Sequence, residues 1–346
     1  MSELVFITGG SGHIGSRVII DALTAGYSVR AAVRSEAKAN VIRAIPSILA
    51  LNPGDKLSFV TVPDLLADGA YDNAIKGATY AIHVASPLFN AHKEGESHQK
   101  TLIEPAVKGT LNILEASKNA GSVKRVVITS SVIATMSWKD FGGSSPGTIF
   151  TANSRTAFVP EPYGDEFEAY SASKIAALNE TEAWMEREKN NVRFDVVNIF
   201  PSFVVGRNEI VTDVKDAHNG TNIVVLGPVT GAKLDKFPGA SIHVRDVAMA
   251  HVKALDSSKV PGNQAYLLTS GGMEGSRFED AVDIVACEFP EAVKNGVLSN
   301  DGKVTSVPIK FDASASEKAL GMKYLGFEEQ VKDVVGQYLE LFAAAE

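Results

Sequence analysis

The segment Thr8-Gly9-Gly10-Ser11-Gly12-His13-Ile14-Gly15 constrains this chain more than any other. It follows a short apolar run at 4–8 and opens a stretch at 12–25 whose apolar residues Ile14, Val18, Ile19, Ala22 and Leu23 fall on one helical stripe. A chain turning from strand into helix needs one residue free to take positive φ. A second glycine lets the backbone approach a pyrophosphate, and a third lets the helix lie close on the sheet. The helix N-terminus then aims its N–H groups and positive dipole end at the phosphates without a basic side chain. A purely structural tight turn is the alternative. The place of the glycines between strand and helix favours dinucleotide binding, with Gly9, Gly12, His13, Ile14 and Gly15 as the candidates.

The rest of the first 200 residues repeats that strand-then-helix pattern, which predicts βαβ units and a parallel sheet. Strands are expected at 4–8, 28–33, 57–61, 79–84, 125–129 and 193–199, with a second amphipathic helix at 102–119. Right-handed crossovers place every strand's C-terminal end on one edge. Beyond Phe200 the chain is broken by Pro201, Gly206, Asn219-Gly220, Gly227-Pro228, Gly231 and Pro238-Gly239. The expectation is an α/β protein: a Rossmann-type, doubly wound parallel sheet at 1–200, to which 241–256 returns, with a smaller, interleaved C-terminal substrate lobe at 201–346. An amphipathic stretch at 328–342 ends the pattern.

Composition narrows the function classes. With 346 residues, 45% hydrophobic and 21% charged, the chain is long enough to bury two cores and too apolar for disorder. A net charge of −8 without a Lys/Arg cluster argues against a nucleic-acid partner. The single cysteine, Cys287, cannot form an internal disulfide. No apolar run approaches the ~18–20 residues that span a bilayer, and the N-terminus lacks a signal-peptide pattern. A cytoplasmic protein with no membrane partner is expected; monomer and homodimer both stay open. His92/His98 and His243/His251 lack metal-ligand spacing, so no metal is expected.

Two positions refine the chemistry. About 20 residues beyond the glycines, where NAD sites place an acidic residue for the ribose 2′-OH, the chain reads Val33-Arg34-Ser35. Arg34, with Lys38 one turn on, suits a 2′-phosphate and hence NADP(H); a solvated surface arginine near Glu36 is the bland alternative. Farther on, Tyr170-Ser171-Ala172-Ser173-Lys174 puts a phenol and an ammonium at i and i+4 on one helix face. An ammonium about 4–5 Å away is worth roughly 3–4 kcal/mol at an effective dielectric of ~20. That lowers the phenol by about two to three pKa units before desolvation takes its share. Alone, the spacing also fits a functionless helix-face pair. The strand ending in Thr129-Ser130-Ser131 changes the weighing, because hydroxyls at the C-terminal edge of an open α/β sheet lie where ligands bind, and Ser131 there can hold a substrate oxygen for Tyr170. The competing reading for two serines closing a strand is a turn or helix cap.

At this point the chain resembles the extended short-chain dehydrogenases/reductases, and within them the branch of dihydroflavonol reductases, cinnamoyl-CoA reductases and fungal NADPH-dependent aldehyde and ketone reductases. The matching pieces include the glycine loop, Val29 to Arg34, Asp64-Leu65, Ala74-Ile75-Lys76-Gly77, His83-Val84-Ala85-Ser86-Pro87 and Thr129-Ser130-Ser131. Tyr170 to Lys174, Pro201 to Gly206, His243 to Ala248 and Ser316 to Gly321 complete a resemblance that runs in order along nearly the whole chain. It implies that Ser131 polarises a carbonyl, that Tyr170 donates the proton, and that Lys174 lowers the tyrosine pKa while bonding the nicotinamide ribose. It further implies that Asp64 and Leu65 flank the adenine, that Val84, Ala85 and Ser86 line the cofactor groove, and that Pro201 and Val204 bracket the nicotinamide. Two departures stand out. Ala106 precedes Gly109-Thr110 where many extended members carry asparagine, so an asparagine relay is not carried over. Val132 to Met136 also lacks the Tyr-Gly of many sugar epimerases and the acidic pair of dehydratases.

The loops at the strand ends carry Pro87, Phe89, Met136, Phe141, Tyr163 and Phe203, apolar candidates for a substrate pocket or for an interlobe core. A hydrophobic or aromatic aldehyde or ketone suits such a pocket. The leading expectation is therefore an NADPH-dependent carbonyl reductase. The alternatives are an epimerase or dehydratase on the same scaffold and a redox-sensing NADP-binding regulator. His83, closing a core strand, reads as a satisfied interior imidazole.

Overall fold

The computed structural model describes residues 2–87, 96–145 and 147–345. The expected pocket residue Phe89 lies outside them. Seven strands form one sheet: β1 (Leu4–Thr8), β2 (Ser28–Val33), β3 (Leu57–Thr61), β4 (Tyr80–His83), β5 (Arg125–Thr129), β6 (Asp195–Pro201) and β7 (Gln264–Leu268). Their order is β7-β6-β5-β4-β1-β2-β3, and every neighbouring pair is parallel. The order reverses between β1 and β4. A crevice opens at their C-terminal ends, where an open α/β sheet takes its ligand.

Five helices position the site. α1 (His13–Thr24) follows the glycine loop and α2 (Glu104–Ala120) follows a wider turn at Gln99–Ile103. α3 (Glu166–Glu188) is capped by the Asp165 carboxylate, which accepts the Glu168 N–H at 2.8 Å. α4 (Val244–Lys253) packs on α1, and α2 packs on α3. α5 (Phe327–Ala345) is the last helix described. The inner strands β1, β4, β5 and β6 are buried on both faces, as Arg125–Thr129 shows with Val126, Val127 and Ile128 at the centre, whereas the edge strand β3 leaves Ser58 and Thr61 exposed.

β7 was not among the expected strands. Gln264-Ala265-Tyr266-Leu267-Leu268 is too short for its periodicity to distinguish a strand from a buried helical turn. Parallel pairing with β6, which sets Leu268 beside Pro201 and Gln264 beside Val197, decides it. A fully buried guanidinium fastens this side of the sheet. Arg125 donates to both Asp195 carboxylate oxygens at 2.5 and 2.7 Å and to the carbonyls of Ala254 and Val260. The charge is thus surrounded by acceptors, the condition under which a buried cation is tolerated.

Residues beyond β6 form short parallel pairs, Phe203–Val205 with Ser241–His243 and Lys233–Pro238 with Lys303–Val307. A separate core of Val224, Leu226, Phe278, Val285, Val331 and Val334 lies under them. Among the described residues no helix is long and apolar enough to cross a membrane, and no cluster of three His, Cys, Asp or Glu could hold a metal.

Candidate active site

The glycine loop turns at the end of β1. Gly9 takes φ +74°, and a Cβ there would sit 2.6 Å from the Ala85 nitrogen, so only glycine lets this turn pass the strand end of β4. A Cβ on Gly15 would lie 2.1 Å from the Gly9 carbonyl oxygen. The first turn of α1 therefore lies directly against the loop. Gly12 caps the helix without a side chain, and its own N–H donates to the Gly9 carbonyl at 3.1 Å. No side-chain oxygen competes for the first-turn N–H groups, which face the crevice between β1 and β4. A tight loop of this build suits a pyrophosphate.

The β4 end packs on the loop as part of the same wall. The Thr8 hydroxyl accepts the Ala85 N–H at 3.3 Å and pairs with His83 Nδ1 at 2.9 Å. Burial pushes the His83 imidazole down to about 3, so the ring is neutral and structural. Val84, Ala85, Ser86 and Pro87 are half-buried along this wall.

The cationic candidates lie at the end of β2. Arg34 and Lys38 are exposed, and Glu36, the acid that follows Arg34 in sequence, pairs with Arg43 at 2.5 Å. Arg34 and Asp64 both act on the buried Tyr71 phenol, which places the two at the same rim. Asp64 accepts the Leu66 N–H at 2.8 Å, and Leu65 lies against Gly109 of α2.

Lys174 reaches the crevice from α3. It is 6% exposed, and its ammonium donates to the Ser86 hydroxyl at 3.0 Å, joining α3 to the end of β4. The same nitrogen stands 5.4 Å from the centre of the Tyr170 ring. Desolvation lowers Lys174 to about 8 and raises Tyr170 to about 12. In the free protein, burial of the phenol sets the direction of its shift and keeps Tyr170 protonated at neutral pH. Ser131 leads a 3-10 turn, Val132–Thr135, that packs on α3. Its hydroxyl caps that turn, accepting the Ile133 N–H at 3.4 Å, so the cap falls to Ser131 itself. A partly open cavity of about 20 Å³ is lined by Lys174, Ser86, His83, Thr110, Thr129 and Asn198 among others. It has room for about one water. Ala106 is on its wall, where the resemblance would place asparagine.

The expected pocket residues separate. Met136 at 1% and Phe141 at 7% exposure belong to the main core, so they back the site and do not line it. Phe203 packs edge-on against Phe237 and Phe278 in the second core. The Tyr163 hydroxyl donates to the Val159 carbonyl, beside His98. Phe167 adjoins Tyr170, centroids 6.0 Å apart, and carries behind it Trp138 at 5.6 Å and the buried Phe141 at 5.3 Å; Phe167 and Trp138 are partly exposed. Phe167 escapes a reading of strand-end loops because it belongs to α3. Its signal was the i, i+3 spacing to Tyr170. Pro201 ends β6, and Val204 sits in the next short strand, 6% exposed. A larger hollow of about 680 Å³ between the outer faces of α2 and α3 contains none of these groups.

Comparison with known proteins agrees with this geometry. Residues 5–268 match the family described as the NAD dependent epimerase/dehydratase family. A ketoreductase of Cercospora beticola, CTB6, is 40% identical over 348 residues, covering 98% of this chain and 96% of that one. The crystal structure of yeast methylglyoxal/isovaleraldehyde reductase Gre2 complexed with NADPH superposes with a TM-score of 0.81 at 26% identity, covering 98% and 99% of the two chains. Vestitone reductase from alfalfa shares the fold, with a TM-score of 0.68 at 24% identity over 97% and 98%. With a glycine loop at the switch point, a matching family profile over most of its length and relatives aligned end to end, the chain belongs to the NAD dependent epimerase/dehydratase family, the extended short-chain dehydrogenases/reductases.

Proposed function

We propose that this protein, an NADPH-dependent oxidoreductase acting on the carbonyl/CH–OH pair, reduces a hydrophobic or aromatic aldehyde or ketone to its alcohol with Tyr170 as proton donor. One observation carries the reading: the Lys174–Ser86 hydrogen bond brings the Tyr170–Lys174 face of α3 to the crevice that the glycine loop opens. The ketoreductase relative and the NADPH-bound reductase neighbour support it. The cradle fits the dinucleotide, since Gly9 and Gly15 leave no room for a side chain between loop, helix and β4. Gly9, Gly12, Gly15 and the N-terminus of α1 would hold the pyrophosphate. Arg34 and Lys38 would hold the 2′-phosphate, and Ser86, Lys174, Pro201 and Val204 the nicotinamide half. NADPH supplies the hydride that reaches the carbonyl carbon.

The protein's own groups handle the oxygen. Tyr170 is protonated at neutral pH and can give its proton to the oxygen as charge develops there. The phenolate left behind is buried, and the Lys174 ammonium beside it offsets that charge. Ser131 hydrogen-bonds the same oxygen and fixes the carbonyl's direction. Trp138 and Phe167 provide apolar, aromatic surroundings, which favour an aryl or hydrophobic substituent over a sugar nucleotide.

The test follows NADPH consumption against aromatic aldehydes, aryl ketones, diketones and dihydroflavonols, with sugar nucleotides as the competing panel. Turnover is expected with the carbonyl panel. Tyr170→Phe should lower kcat by about 10²–10⁴-fold while NADPH still binds. Unchanged turnover in that variant overturns the proton donor, and product formed only from sugar nucleotides overturns the substrate class.

A further inference from the structure

The segment that follows the nicotinamide-side residues Pro201 and Val204 is held by hydrogen bonds from both lobes. Gly206 donates its N–H to Asn222 Oδ1 at 3.1 Å and accepts Asn222 Nδ2 at 2.8 Å. Its carbonyl also accepts His13 Nε2, from the glycine loop, at 3.2 Å. Burial pushes His13 down to about 4, so the ring is neutral and carries its proton on Nε2 to make that bond. Glu209 accepts Arg17 of α1 at 3.4 Å and Ser47 at 2.9 Å.

The other side of the segment is held by α5. Asp333 Oδ2 accepts the Arg207 N–H at 2.8 Å. His243 accepts the Arg245 N–H on Nδ1, which leaves its proton on Nε2, 3.3 Å from the same carboxylate oxygen. Arg245 approaches Asp333 Oδ1 at 3.3 Å. One turn along, Gln337 binds Asn208 twice: Oε1 accepts its N–H at 2.7 Å, and Nε2 donates to its carbonyl at 2.8 Å. Gln337 is 7% exposed on a buried face it shares with Gln330, Val331, Val334 and Val335. A buried glutamine on an apolar stripe is costly unless its bonds are made, and here both are made to the backbone of this one segment.

We propose that Asp333 and Gln337 are positioning residues for the dinucleotide site: by fixing Gly206–Asn208 from α5, they seat the Gly206 carbonyl against His13 and so hold the glycine loop from outside the Rossmann sheet. The predicted signature is coupling between two residues on different lobes that do not touch. Once the segment is loose, His13 has no fixed acceptor, and removing His13 as well loses nothing more.

The experiment is a double-mutant cycle on the full chain, with NADPH affinity read by fluorescence titration and folding by thermal melts. Gln337→Ala and His13→Ala are each expected to weaken NADPH binding by about five- to tenfold, and the double variant by no more than about tenfold. His13→Gln, which restores an N–H donor, should recover affinity to within about twofold of the starting protein. If Gln337→Ala does not fold, Gln337→Met, which keeps the side chain's length without its two hydrogen bonds, takes its place in the same cycle. Effects that multiply to about 25- to 100-fold in the double variant overturn the proposal. So does a Gln337→Ala variant that melts earlier while its NADPH affinity stays within twofold, since that is the behaviour of a purely structural residue.

Discussion

The two walls of the dinucleotide crevice are built by opposite means. On the β1–α1 side, the deciding positions are close in sequence: positive φ at Gly9 and a close approach at Gly15, two glycines within seven residues, let the loop lie against both α1 and the end of β4. On the Gly206–Asn208 side, the short-range bonds are confined to Asn208, whose carbonyl accepts the Val211 N–H at 3.0 Å and whose side chain accepts the Ile210 N–H at 3.4 Å. The segment's other bonds are made with Asn222, Asp333 and Gln337, the last two more than 120 residues away. The first wall tolerates no side chain, and the second depends on particular ones.

The sharpest test of that contrast is Gly15→Ala. The new Cβ would meet the Gly9 carbonyl oxygen at 2.1 Å and its carbon at 2.7 Å, backbone atoms that cannot rotate away. Either α1 lifts from the loop or the loop opens, and both move the N–H groups that face the phosphates. NADPH affinity is expected to fall by more than about 100-fold, read by the same fluorescence titration. Retained affinity would mean that the loop is as adjustable as the segment opposite.

That difference also sets what was legible in the sequence. Strands β1, β2, β3 and β5 have the expected bounds because their apolar runs lie between turn residues, and Gly9, Gly15, Tyr170 and Lys174 announce themselves by spacing. Pairing across the chain does not. β7 is recognisable only beside β6, and Met136 and Phe141 looked like loop aromatics and apolars until the packing of the 3-10 turn buried them. Gln330 and Gln337, polar residues in phase with Val334 on an otherwise apolar helix face, were the one sequence sign that α5 has a buried task. The sign gives no address, because the partner of Gln337 is backbone at Asn208.

Lys174 extends the contrast to energetics. Burial lowers its pKa from the usual 10.5 to about 8, so the unfolded chain binds more protons than the native state between those two values. Native stability contributed by this group therefore rises as pH climbs from about 8 to about 10.5, and the full desolvation penalty is present below about 8. Lys174→Met, which removes the charge and keeps the length, is expected to stabilise the free protein by about 1–3 kcal/mol at pH 7, in urea unfolding. The gain should fade toward pH 10.5. A variant that is less stable at pH 7 would show that the Ser86 hydrogen bond outweighs desolvation, and that this functional group is as much a fastening as Gln337 is.

The smallest expected effect comes from the glycine that most resembles Gly15 in setting. Gly336 also lies within a helix, next to Gln337, yet a Cβ added there would meet nothing within 4 Å. Alanine restricts the unfolded chain and favours the helix, so Gly336→Ala should stabilise by about 0.5–1 kcal/mol. In a chain of this size that raises the melting midpoint by about 1 °C. NADPH affinity should stay within about twofold, because the substitution leaves the Gln337–Asn208 bonds in place. The same chemical change is thus expected to cost function on one wall and add stability behind the other. If Gly336→Ala instead weakened NADPH binding, the α5 backbone would have to be as finely fitted as the glycine loop, and the division between a locally encoded wall and a side-chain-held wall would not stand.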